Sequence, residues 1–468
     1  MNKIIIFKVF SLLLLSIQTF GGGFDLKVIL PSVPKGEVLL AHYYGASILV
    51  DDTLRLDASG MGTLKRDTLL PQGIYKIYLN QDQHFDFLLG ADQKLVIRNP
   101  DFAIQNMTIE GAIESVEFLK YMKWIADHQQ TRKALENKKE GAGEDEIKKI
   151  DSELQRLNDE VSGYWKQKSK EYPGSFLGAF LMSNYYEDIK PEEIPAEYNL
   201  NDSLRWVYQY NYRKNNFLKH FDLTDERFLY TPSIKPKLET YFERVLLQMY
   251  DSVKPAAYEV LKRVEPHPRM FRFVVSHLLN SSLNSKIMGM DALFVDIAKD
   301  YYLSGKATWA DSTTLAKIRE NVIFMENTLI GKNARDFQME TYDGNPFRLY
   351  QQNAKFTILV FYEPDCSHCR EYVPALYNDI YLPYRDKGVD VVAVYTMENK
   401  KEWGDFINKH QIYDWHNVWD QHHVTRFKII YDTRTTPAVY LLDKDKKIIA
   451  KKFTIDFLKN YLPHFIDS

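Results

Sequence analysis

Cysteine is almost missing from this chain: only two occur among 468 residues, at Cys366 and Cys369. With no third thiol there is no framework of structural disulfides. A chain this long, 45% hydrophobic, can build large cores without one. Long apolar runs are scarce as well. Beyond the N-terminus nothing approaches the ~20 residues needed to cross a bilayer. Neither sign of charge dominates: 60 basic against 63 acidic residues leave a net −3, which gives no reason to expect nucleic acid as a partner. No fixed repeat period marks a solenoid. The histidines, His422-His423 included, lack the spacing of a four-ligand zinc site, so neither metal nor cofactor is expected.

What is present starts with an export signature. Lys3 and Lys8 supply positive charge, Val9 to Ile17 form a short apolar stretch, and small residues follow at Thr19 and Gly21 to Gly23. The stretch is too short for a membrane anchor, so residues 1–22 are expected to be a cleaved signal peptide, placing the protein in the periplasm. No cysteine nearby could carry a lipid.

Three textures follow. Residues 23–110 alternate at period two (Phe24, Leu26, Val28, Leu30) between turn signals at Pro34-Lys35-Gly36, Ser59-Gly60, Pro71-Gln72-Gly73 and Gly90-Ala91-Asp92. They predict an antiparallel, β-sandwich-like domain without catalytic residues. Residues 111–328 carry helical periodicity: Val116, Leu119, Met122 and Ile125 share one face, as do Leu238, Phe242, Val245 and Met249, then Met290, Phe294, Ile297 and Tyr301. The charge-rich run from Arg132 to Arg156, broken at Gly141-Ala142-Gly143, predicts a solvated helical hairpin. Trp206, Tyr208, Tyr210 and Tyr212 are expected to be packing residues. Residues 329–468 alternate strand and helix around continuous apolar strands at Phe356–Tyr362 and Val389–Tyr395, which indicates a sheet covered on both faces. The fold class expected is multi-domain: antiparallel β, then all-α, then α/β.

The two cysteines form Cys366-Ser367-His368-Cys369, a C-x-x-C where a helix should begin. That spacing suits dithiol–disulfide exchange: one thiolate attacks a foreign disulfide, and the second, a helical turn away, resolves the mixed disulfide. Cys366, at the positive end of the helix dipole, is expected to be the nucleophile and Cys369 the resolving thiol. His368 and Arg370 favour the thiolate; Asp365 and Glu363 oppose it. A structural disulfide or half of a metal site are the bland alternatives.

Around this pair lie Ile330 to Phe337, a hairpin at Asp343-Gly344, the strand Thr357 to Tyr362, Pro374 and Thr436-Pro437-Ala438. Together they resemble the periplasmic thioredoxin-fold oxidoreductases of the TlpA/ResA type. The segments before 329 resemble the N-terminal regions that accompany such domains in exported proteins of two-membrane bacteria. The resemblance implies disulfide exchange with exported proteins, as a reductant recharged by a membrane-bound redox partner. It also implies a cis-proline loop at Thr436-Pro437 that meets the incoming peptide. Two positions depart from the pattern. Asp365 stands where an aromatic residue usually precedes the first cysteine, and Tyr372 stands where a glutamate often follows the second. His368 is shared with strongly oxidising, DsbA-like proteins, which raises an oxidant or isomerase role. A thiol peroxidase and a non-catalytic peptide-binding scaffold are the other readings. The Pro-x-x-x-Thr/Ser-x-x-Cys run of thiol peroxidases is not met, as Pro364 lies only two residues before Cys366.

Overall fold

A computed structural model of the protein describes residues 23–187 and 189–467, so the expected signal peptide at 1–22 lies outside the described residues. The chain forms two compact units that divide between Leu238 and Glu239, inside the helical region.

The first unit contains two four-stranded sheets. One has the order β4-β1-β7-β8 and is built from β1 (Phe24–Ile29), β4 (Met61–Arg66), β7 (Lys94–Arg98) and β8 (Thr108–Gly111). The other, β3-β2-β5-β6, comprises β2 (Glu37–Tyr44), β3 (Ser47–Arg55), β5 (Gly73–Tyr78) and β6 (His84–Leu89). The period-two residues Phe24, Leu26, Val28 and Leu30 do what their spacing predicts and enter one core, which Leu40, Ile77, Phe87 and Ile97 share. Pairing is antiparallel except between β1 and β7, which run parallel. Strand β5 is buried on both faces because the long helix Ile113–Lys139 covers its outer side, where Ile74 and Leu88 meet Phe118 and Tyr121. Gly73 opens β5 where a Cβ would sit 2.2 Å from the Cβ of Tyr230, so only glycine admits that segment.

Helices Ile113–Lys139 and Glu144–Glu171 form the expected hairpin, with Leu135, Ile150 and Leu157 as its narrow apolar seam. The aromatic run behaves differently from expectation. Helix Asp202–Asn216 buries no residue; Trp206 is 52% exposed and stacks on Tyr210 at 5.4 Å, while Tyr208 meets Tyr198 at 4.9 Å. These rings pack on each other along the surface, not in a core.

One helix spans the division at Leu238, and further helices open the second unit. The face predicted through Met249 is interrupted: the helix Ile234–Thr240 passes into a wider turn over Tyr241–Val245, Leu246 is extended, and Met249 is exposed ahead of the next helix, Tyr250–Val264. Met290, Phe294, Ile297 and Tyr301 are all buried as predicted.

The rest of this unit is a seven-stranded sheet in the order β10-β9-β13-β12-β11-β14-β15. Its strands are β9 (Gln338–Thr341), β10 (Pro346–Arg348), β11 (Phe356–Tyr362), β12 (Val389–Tyr395), β13 (His416–Trp419), β14 (Ala438–Leu442) and β15 (Ile448–Lys451). Central β11 runs parallel to β12 and antiparallel to β14. Every residue of β11 is buried. Ile358, Val360 and Tyr362 face the core shared with Cys369, Val373 and Leu458, and Leu359 and Phe361 face the opposite core with Phe427 and Tyr440. Two covered faces explain why the strand reads as an unbroken apolar run. Strand β13 had no signal of its own: four residues, His-Asn-Val-Trp, are held as a strand by pairing with β12 and β9.

Candidate functional site

Three chain segments meet at one end of this sheet, and the register explains why. Antiparallel pairing sets Ala438 opposite Phe361, so Pro437 and Thr436 emerge beside the residues that follow Tyr362. Parallel pairing sets Tyr395 beside Tyr362, so Thr396 and Glu363 emerge together. The chain leaving β11 turns at Glu363 to Asp365, with the Cys366 amide donating to the Glu363 carbonyl at 3.3 Å, and enters the helix Ser367–Leu376.

Cys366 is the N-cap of that helix, half-buried, with an extended backbone (φ −69°, ψ 123°). Its thiol lies 3.3 Å from the Thr436 carbonyl oxygen, 70 residues away in sequence, and the Thr436–Pro437 peptide bond is cis. Burial alone would raise this thiol. Hydrogen bonding from the Thr436 side chain and the Cys369 thiol outweighs it, helped by the first-turn amides of Cys369 and His368, which add to the effect without closing a capping hydrogen bond. The net result is a thiol held below its ordinary value.

Cys369, one turn further in, is fully buried among Val373, Tyr362 and Leu376. Burial pushes its thiol up to about 12, with the neighbouring Cys366 pushing the same way. Both cysteines are free thiols.

The remaining candidate residues fall into two groups. Asp365, Ser367 and His368 are exposed on the rim, whereas Glu363, Thr436 and Pro437 are half-buried. The Glu363 carboxylate is fixed by the Thr396 hydroxyl, which donates to it at 3.2 Å and also lies 3.3 Å from the Tyr362 carbonyl. Sequence reasoning passed over Thr396; its signal was its position directly after an apolar strand parallel to the one that carries Glu363. Beneath the pair, the buried Trp403 indole donates to the Tyr362 hydroxyl at 3.1 Å and supports the turn from below. Tyr372, in the place often held by glutamate, donates its hydroxyl to the Phe453 carbonyl at 3.2 Å. Pro374 lies inside the helix Ser367–Leu376, and the helix widens just after it, over Tyr377–Tyr381. Among the described residues, no three His, Cys, Asp or Glu side chains are arranged to hold a metal ion. Nor is any described helix long and apolar enough to cross a membrane.

Residues 330–451 match the AhpC/TSA family. Thiol-disulfide oxidoreductase ResA of Bacillus cereus is 27% identical over 140 residues, which are 29% of this chain and 79% of the relative. ResA of Geobacillus thermodenitrificans is 28% identical over 144 residues, 30% of this chain and 80% of its own. Among solved structures, a domain of a possible thiol-disulfide isomerase from Cytophaga hutchinsonii is 40% identical, covering 30% of this chain and 94% of that domain, with a TM-score of 0.28. A thioredoxin-like protein from Bacteroides caccae is 18% identical, covering 60% of this chain and 98% of its own, with a TM-score of 0.45. The family match defines a thioredoxin-like C-terminal domain. With the ResA relatives beside it, the C-terminal domain of this multi-domain chain is similar to thiol–disulfide oxidoreductases of the TlpA/ResA type.

Proposed function

We propose that the protein is exported and reduces disulfides in other exported proteins through Cys366 and Cys369. The observation that carries this reading is the 3.3 Å approach of the Cys366 sulfur to the Thr436 carbonyl, with a depressed thiol there and a raised one behind it. Cys366 as thiolate attacks one sulfur of a client disulfide, and the other client sulfur leaves as a thiolate. Cys369 then loses its proton and attacks the Cys366 sulfur, releasing the client's second thiolate. Two electrons have passed to the client, and Cys366 and Cys369 are left as a disulfide. A membrane-bound redox partner returns the electrons. The Thr436-Pro437 loop receives the client backbone by strand-like pairing, and Ser367, His368, Asp365 and Glu363 tune the thiol.

Export rests on the N-terminal signature at residues 1–22. The working domain plan is β-sandwich-like at 23–110, helical at 111–328 and thioredoxin-like at 329–468. Insulin-disulfide reduction by the mature protein tests the mechanism. Cys366→Ser should abolish turnover, and Cys369→Ser should stall at a mixed disulfide on Cys366. Full turnover by the Cys366→Ser protein rejects the mechanism. The reductant assignment expects a potential nearer thioredoxin's ~−270 mV than DsbA's ~−120 mV. A value above about −150 mV would make the protein an oxidant or isomerase instead. Rapid consumption of hydrogen peroxide would favour the peroxidase reading.

A further inference from the structure

Thr436, whose carbonyl approaches the Cys366 sulfur, lies two residues after Arg434, and Arg434 is held on three sides. Its Nε and Nη2 donate to the two carboxylate oxygens of Asp432 at 2.6 and 3.1 Å. Its Nη1 donates to Asn321 Oδ1 at 2.8 Å. The guanidinium carbon stands 4.3 Å from the centre of the Phe324 ring. Asn321 and Phe324, three apart, share one face of the helix Ser312–Met325. Both precede the thioredoxin-like domain in sequence.

The anchor points are themselves fixed. The Asn321 amide nitrogen donates to the Lys317 carbonyl at 3.0 Å, which turns its oxygen toward Arg434. The Asp432 side chain is only 8% exposed, and its backbone is left-handed (φ 44°), a conformation that surrounding structure must maintain outside glycine. Tyr431, one residue earlier, is buried, and its carbonyl accepts the Tyr440 hydroxyl from β14. Engaging one edge, a further nitrogen and a flat face together is a task for arginine; an ammonium has neither fork nor face. Two residues of chain reach at most about 7 Å, so a fixed guanidinium limits how far Thr436 can withdraw from Cys366.

We propose that Arg434 is a positioning residue: docked on Asn321 and Phe324, it holds the Thr436-Pro437 segment in place for an incoming client backbone. The helix Ser312–Met325 thereby takes part in substrate binding without touching substrate. The client half rests on the preceding reading that the substrates are proteins; the holding of the segment does not.

The test uses the full mature chain with Arg434→Gln, Arg434→Lys, Asn321→Ala and Asn321→Asp. Protection of residues Arg434 to Thr436 against hydrogen–deuterium exchange reads the segment directly. It should fall about fivefold in the first three variants and hold in Asn321→Asp, which keeps an acceptor for Arg434. In insulin reduction, KM should rise about fivefold at little changed kcat in both Arg434 variants, and about threefold in Asn321→Ala. Reduction of the small disulfide dithiobis-nitrobenzoate, which has no backbone to receive, should stay within about twofold of wild type throughout. Unchanged protection in Arg434→Gln and Asn321→Ala would overturn the proposal. So would an unchanged KM for insulin, or equal losses on both disulfides, the mark of general destabilisation. Lowered protection in a protein whose wild type reduces no insulin would support the holding of the segment and reject the client reading.

Discussion

Cys366 and Cys369 stand one helical turn apart, and their surroundings drive the two thiols in opposite directions, the first below its ordinary value and the second up to about 12. The half-buried sulfur is thus the one that ionises first, and the sealed sulfur keeps its proton at neutral pH. Alkylation of the reduced protein by iodoacetamide should therefore modify Cys366 alone. Its rate should rise with pH about a midpoint below that of a free cysteine, because a depressed thiol ionises earlier. Mass mapping checks the site and the pH profile checks the direction. Modification of Cys369 at neutral pH would contradict the arrangement.

Carboxylates placed before Cys366 are expected to work against its anion. Exposed Asp365 should contribute modestly: Asp365→Asn is expected to speed alkylation at pH 6 about two- to threefold, the effect of a surface charge worth roughly 0.5 kcal/mol. Glu363 is half-buried and fixed by Thr396. Glu363→Gln should speed alkylation more than Asp365→Asn does. A slower rate in either variant would assign that carboxylate a supporting role instead.

Within the second unit, Lys451 on β15 is ion-paired with Asp291 at the start of the helix Asp291–Ile297, and the lysine side chain is only 3% exposed. Burial lowers the Lys451 ammonium, and Asp291 partly offsets that. Removing one partner leaves a buried charge, so Asp291→Ala should cost about 3–5 kcal/mol. The double replacement Asp291→Leu with Lys451→Met should recover most of the loss. Denaturant unfolding of the wild type, Asp291→Leu, Lys451→Met and the double variant gives the coupling directly.

Lys237 offers a test by pH. It is buried among Tyr186, Phe217 and Phe221, its ammonium donates to the Tyr186 hydroxyl at 2.9 Å, and burial pulls it down to about 8. In the unfolded chain the same group titrates near 10.5. Between those values the unfolded state holds the extra proton, so stability should rise with pH from about 8 to 10.5. Lys237→Met should stabilise the protein by on the order of 3 kcal/mol at pH 7, with the advantage vanishing above pH 10.5. A stabilisation independent of pH would show that charge burial is not its source.

Much of the C-terminal fold was legible because its central strands are buried on both faces and so announce themselves as apolar runs: Phe356–Tyr362 and Val389–Tyr395 have the same bounds in sequence and structure. Strand β13 was not legible, since its four residues gain their strand geometry only from neighbours on either side. The helical region kept its periodicity in Met290 to Tyr301 but lost it at Leu246, where the chain turns extended. Nothing in the sequence showed that the aromatics of Asp202–Asn216 would stack on the surface. A period of 3.6 defines a stripe on a helix, not what lies against it.

The primary structure by itself determined the chemistry on offer: two thiols at a spacing of three, ahead of a helix, with no others to compete. Only tertiary structure decided what surrounds them. The Thr436 carbonyl reaches the Cys366 sulfur across 70 residues because β14 pairs with β11 in one particular register, and Thr396 reaches Glu363 because β12 does the same on the other side. Spacing along a chain fixes what can meet within a helical turn; contacts between strands depend on register and packing, which no short motif encodes.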